Sequence, residues 1–451
     1  MKKVSLLIVV FGAMLTQAVL AQTAYELNTT GTSTWSTTTI WTPNGTPGAN
    51  AGDTVSTAGV PSNSATVNLG ASRTVAGLTI QANSSQVHTF QASAADQTLT
   101  VSGVLTKNSS GEGRIHNGSS LFSNFDVSIG SMSVNAGSMF LGTTTSSIDD
   151  LTVGNVSISG STSLRLNVTN SANLGVITVG TGSTFNIANG PQTGTNSRTV
   201  TVTGIAGAGT VLNSNNSMSS GSTSGTLVIS TSADQSFTGL VTNGGTGQTL
   251  HLSKTGAAQQ TLGGTGANLY SGNTTVTSGT LRLDKTAGVN AIASGTIFMN
   301  AGTLLLNKAN QIADGVNMQS TAAGSTFNTG GFNETLGTLD LNANLTLNLG
   351  AGTSALAFSD SSGIDWGLST LTILGWTSGS DTLRFGTSSS ALTVAQLASI
   401  SFSGSPSGAQ IDASGYITPI PEPSVAAILG LTLTLFVVFR RRSISARSRM
   451  K

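Results

Sequence analysis

His88, His116 and His251 are the residues best suited to acid–base or metal chemistry near neutral pH, and they stand far apart in a chain of 451 residues. None lies in the His-Glu-x-x-His spacing that brings two imidazoles onto one helix face, so each is expected to be an isolated surface or coil histidine. The chain has no cysteine, which removes thiolate nucleophiles, disulfides and Cys-based metal sites together. Serine is abundant at 64 residues, yet no Gly-x-Ser-x-Gly elbow, phosphate loop or dinucleotide fingerprint accompanies it. The adjacent acids Asp149 and Asp150 precede a strand, where alternation sends successive side chains to opposite faces and separates a would-be acid–base pair. Asp314 and Asp340 are the candidates for calcium at a turn. Arg165, Arg198, Lys254 and Arg282 are scattered rather than clustered as on a carbohydrate-cleaving surface. The expectation is a protein with no catalytic residues, no metal and no cofactor.

The chain around these residues is poor in charge. Lys and Arg number 18 and Asp and Glu 17, so 8% is charged, against about a quarter in an ordinary globular domain. Threonine (68), serine (64), glycine (56) and asparagine (33) dominate instead. Hydrophobic residues reach 37% and the mean hydropathy is +0.16, too apolar for charge-driven disorder and enough for a repetitive core. Residues 22–419 carry 10 cationic against 16 acidic side chains with no basic stripe, which argues against nucleic-acid binding.

Both ends read as export signals. Residues 1–21 combine Lys2 and Lys3, an apolar run over 4–15 and small residues ending at Ala21, the layout of a cleavable signal peptide. Residues 424–439 carry no charge and predict a transmembrane helix about 24 Å long. Arg440, Arg441 and Arg442 follow and would hold its end in the cytoplasm, leaving 22–419 outside. Immediately before this span stand Pro421, Glu422 and Pro423. The three parts in this order over 420–451 closely resemble the PEP-CTERM sorting signal of Gram-negative bacteria. That resemblance implies recognition of Pro421, Glu422 and Pro423 by an exosortase-type transpeptidase, membrane retention by Arg440, Arg441 and Arg442 before processing, and delivery to the cell surface or medium.

Between the signals, short runs such as Leu99-Thr100-Val101, Val156-Ser157-Ile158 and Val200-Thr201-Val202 alternate apolar and hydroxyl residues and are separated by Gly, Asn and Ser. They recur every 8 to 25 residues or so with almost no helical period. The pattern predicts an all-β, right-handed parallel β-solenoid (β-helix) over 22–350, of some 13 to 16 coils, with Gly and Asn at the corners. The stretch 266–283 carries Asn268, Tyr270, Gly272, the strand Thr274-Thr275-Val276 and the turn Gly279-Thr280-Leu281. Within a unit near 262–285 it is similar to the autotransporter-associated β-strand repeat, and Gly302-Thr303-Leu304 and Gly337-Thr338-Leu339 echo its second half. The segment with Trp35, Trp41 and Asp53-Thr54-Val55 resembles the first coil of such exported proteins, with the tryptophans as an N-terminal cap. Residues 351–419 are expected to form a C-terminal cap holding one short helix over 392–400, with Thr393 as N-cap. The function implied is a surface-sorted structural or adhesive β-solenoid, with a glycan-binding module contacting extracellular polysaccharide as the alternative.

Overall fold

Alternation along each strand decides which side chains enter the core. In Thr280–Lys285 the residues Leu281, Leu283 and Lys285 are buried while Thr280, Arg282 and Asp284 face outward. A computed structural model describes residues 22–60, 63–119, 124–143, 146–187, 198–214, 223–405 and 408–420. Throughout these the chain is all-β, with strands such as this one wound into a parallel solenoid of about 13 turns. At a spacing of about 4.8 Å per coil, the stack is roughly 60 Å long.

Three walls of strands surround the core. The first begins with the parallel pairs Ala24–Leu27 on Thr54–Ser56 and Thr54–Ser56 on Gly77–Ile80, and runs without a break to Ile400–Phe402. The second starts at Gly31–Thr34 on Ala65–Asn68 and ends near Thr382–Phe385. The third runs from Arg73–Val75 to Leu339–Leu341. The strand Gln97–Asn117 is long enough to bend through all three walls in one coil.

Pairing is in register from coil to coil, so like side chains stack in columns. In the third wall Val75, Val101, Ile129, Val153, Leu174, Val202 and Ile229 succeed one another, followed by Lys254, Val276, Met299, Ser320 and Leu341. Each apolar member buried this way contributes about 1.5–3 kcal/mol. Corners turn sharply enough that a neighbouring coil's backbone fills the space a side chain would need. Gly264 has φ +94°, and a Cβ there would stand 2.0 Å from the Thr238 carbonyl oxygen.

Buried amides fasten the corners of successive coils. Asn268 accepts from the Val241 N–H at 3.0 Å and donates to the Ala291 carbonyl at 2.8 Å, so one side chain joins three coils. Asn268→Ala leaves both backbone groups buried and unpaired, and the expected loss is about 2–4 kcal/mol in a urea titration. An unchanged midpoint would show that water or a shifted backbone replaces the amide.

The two ends differ. At the first, Trp35 and Trp41 are fully buried, with ring centroids 5.4 Å apart, and the Trp35 indole donates to the Pro47 carbonyl at 2.9 Å. At the other, the first wall crosses residue 350 through Leu345–Asn348, Leu371–Leu374 and Ile400–Phe402. The third wall has already stopped at Leu339–Leu341. There the Trp366 indole donates to the Leu339 carbonyl, and the Leu339 N–H donates to the Ser361 hydroxyl. Tyr416–Pro419 then folds back antiparallel on Thr382–Phe385. The helix expected near 392–400 is Val394–Ala398, and the hydroxyl of its N-cap Thr393 accepts from the Gln396 N–H. No helix among the described residues is long and apolar enough to cross a membrane. The span expected at 424–439 lies outside them, as does the signal segment 1–21.

Candidate functional site

The sorting residues Pro421, Glu422, Pro423, Arg440, Arg441 and Arg442 all fall outside the described residues.

The histidines stay apart, but they are not all at the surface. His88 is completely buried, with Nδ1 2.7 Å from the Thr57 hydroxyl and Nε2 3.3 Å from the Asn63 carbonyl. Burial lowers its pKa below the usual histidine value, so the ring is neutral at pH 7. Thr57 is itself fully buried, which seals this hydroxyl–imidazole pair away from any substrate. His251 accepts the Asn273 N–H at 2.9 Å, and burial lowers its pKa and that of His116. Among the described residues no three His, Asp or Glu side chains converge in a way that could hold a metal ion, Asp314 and Asp340 included.

Asp149 and Asp150 correct a simple alternation argument. The pairing of Ile148–Val153 with the next coil shifts register between Ile148 and Asp150, and this irregularity turns both carboxylates toward solvent. They serve the backbone. Asp149 accepts the Phe125 N–H at 2.7 Å, and Asp150 accepts the Ser171 N–H at 3.1 Å. Asp126 accepts the Asp150 N–H at 3.3 Å, and its pKa is raised chiefly by desolvation, with the Asp150 and Asp149 charges adding to the rise.

Three of the cations are inside the solenoid. Lys107, Lys254 and Lys285 occupy core-facing strand positions and are at most 1% exposed. Their ammonium groups reach the corners and donate to backbone carbonyls of more than one coil. Lys254 holds Thr255, Gly256 and Ser278 at 2.7, 2.9 and 3.1 Å. Lys285 holds Gly239 and Gly263 at 3.0 and 2.9 Å, and Lys107 holds Ser109 and Ala136. Desolvation lowers the pKa of each to about 8. Glu334, also buried, accepts the N–H groups of Gln311 and Ile312 at 2.7 and 3.2 Å, yet desolvation raises its pKa to about 7. These groups have no access to a ligand and act as internal fasteners. The repeat's Tyr270 is likewise internal, fully buried with its hydroxyl 2.7 Å from that of Thr274.

Two clefts among the described residues lie near the C-terminal end. A cleft of about 520 Å³ lies over the last third-wall strand between Leu341, Asn344, Trp366 and the fully exposed Leu368. A second, of about 260 Å³, runs between Trp366 and the short helix. Both are lined by backbone, hydroxyl and apolar groups with one carboxylate, Asp365. Neither holds a paired acid and base.

On the outer face of the second wall two guanidinium groups share one aromatic ring, all three side chains half-buried. Arg114, Phe140 and Arg165 face outward on three successive coils and pair in register. The Arg114 and Arg165 guanidinium carbons lie 5.9 and 5.2 Å from the Phe140 ring centroid. In the sequence these residues look scattered. Their separations of 26 and 25 match one coil each, and superposing the coils is the signal that would have aligned them.

The molecule is thus a parallel β-solenoid in which Lys107, Lys254, Lys285, His88 and Glu334 are buried and hydrogen-bonded within the stack. No protein-family profile, curated protein or solved structure matches the chain.

Proposed function

We propose that this chain is an exported, surface-sorted structural or adhesive protein of the cell envelope or extracellular matrix, without catalytic activity. The observation that carries this reading is the in-register column from Val75 to Leu341. It makes a long, self-supporting rod whose outward positions are chiefly Thr, Ser and Asn and whose buried cations are committed to backbone carbonyls. Such a surface is built for extent rather than for turnover. In this proposal residues 1–21 direct export, 424–439 form the transient membrane helix, and an exosortase-type transpeptidase acts at Pro421, Glu422 and Pro423. The winding is taken as right-handed, with Trp35 and Trp41 as one cap and 351–419 as the other.

The test is the intact mass of the protein recovered from the surface or medium of its native cell. A product lacking both 1–21 and a C-terminal piece beginning near Pro421 is the expected result. A product retaining 424–451 would reduce the Pro-Glu-Pro segment to a stalk and the protein to a membrane-anchored ectodomain.

A further inference from the structure

We infer that the outward column Arg114–Phe140–Arg165 binds an acidic polysaccharide bearing uronate carboxylates, an inference that rests on the surface-exposed role proposed above. Three features of the column lead there. The two guanidinium groups are held by the same phenyl ring, one coil to either side of it, so their geometry is set before a ligand arrives. Two coils separate them by about 9.6 Å, close to the length of a disaccharide in an extended chain. A planar guanidinium fork then meets a carboxylate through two parallel hydrogen bonds.

The neighbouring column completes the match. Glu112, Ser138 and Ser163 lie alongside, also outward and in register, with the two serine hydroxyls 2.9 Å apart. Glu112 pairs with Arg114, whereas Arg165 forms no ion pair among the described residues. A polyuronate laid along the rod would place carboxylates at the arginines and hydroxyls at Glu112, Ser138 and Ser163. DNA, with a phosphate every ~3.4 Å along each strand and no sugar hydroxyl row to meet the serines, would bring negative charge onto Glu112 as well as onto the arginines. Phe140 is a positioning residue here, because it acts through the two arginines.

Binding is measured on the purified protein by calorimetric titration with polygalacturonate, with dextran and a single-stranded DNA oligomer as controls. Saturable binding to polygalacturonate alone is expected, weakening as salt is raised. Arg165→Ala should weaken it about tenfold, the size of one lost charge-assisted hydrogen bond. Arg165→Glu should abolish it, and Phe140→Leu should weaken it by a smaller factor. Arg282→Ala, ion-paired with Asp284 on another wall, should leave it unchanged. Thermal melts identify any variant whose fold is lost, and a misfolded variant is replaced by Arg165→Gln. Equal uptake of dextran or DNA, no binding at all, or full affinity in folded Arg165→Glu would each overturn the inference. Protein found at the cell surface that nonetheless ignores polygalacturonate would leave the surface reading standing and remove this one alone.

Discussion

Replacing Trp35 with alanine should unfold the solenoid from its first coil inward. The indole is completely buried, packs its ring against Trp41 at 5.4 Å and Phe90 at 5.8 Å, and donates to the Pro47 carbonyl. Truncating a buried tryptophan costs about 3–5 kcal/mol, and here the cavity opens where the apolar columns meet solvent. Each coil of a solenoid is stabilised mainly by its neighbours, so the damage should decay along the axis. In Trp35→Ala, hydrogen exchange should accelerate most in Ala24–Leu27, Gly31–Thr34 and Ala65–Asn68 and least beyond Thr280–Lys285. Uniform acceleration along the rod would mean that it unfolds as one cooperative block. No acceleration would mean that the tryptophans do not cover the core.

The second large effect is a rise in stability on the alkaline side. Lys107, Lys254 and Lys285 each have an ordinary pKa of 10.5 when the chain is unfolded and about 8 when folded. Between those values the unfolded chain binds more protons than the folded one, so stability increases as pH rises from 8 toward 10.5. Below pH 8 both states are protonated and the cost of three buried ammonium groups is fully present. Tyr270 sets the upper limit. Burial raises its pKa above the ordinary 10.0, so beyond pH 10 the unfolded chain loses a phenolic proton that the folded one keeps. The unfolding free energy from urea titrations should therefore climb between pH 8 and 10, by an amount on the order of a few kcal/mol in all. In Lys254→Met about a third of that climb should disappear. A flat profile in the unmodified protein would show that the ammonium groups are solvated at the corners.

Much of the architecture can be read from residue order because a strand's two-residue period is a local property. Leu281, Leu283 and Thr280 take the sides their hydrophobicity assigns. Thr393 announces its helix through a capping box that spans four residues. What escaped depends on residues a coil away. A lysine in an alternating run looks like a surface residue, yet the four-carbon stem of Lys254 carries its charge to the Ser278 carbonyl of the following coil. His88 is drawn inside because Thr57, 31 positions earlier, supplies a partner there. The register shift beside Asp150 arises from the fit between two coils rather than from either alone. The Arg114–Phe140–Arg165 column escaped for the same reason: its members become neighbours only after the chain has gone around. Pro421, Glu422, Pro423, Arg440, Arg441 and Arg442 are legible in residue order alone, because they lie outside the described residues.

The stacked column from Val75 to Leu341 also makes the molecule's reach a counted quantity. Because each coil presents to the next nearly the same upper surface that it received from below, removing or duplicating a whole circuit leaves every interface made of familiar parts. Both terminal structures, at Trp35 and at Trp366, remain as they were. Length in this molecule thus changes in discrete increments of about 4.8 Å. A lineage of such proteins could set the distance between an anchoring point and whatever the far end touches, adjusting a spacing without redesigning a fold.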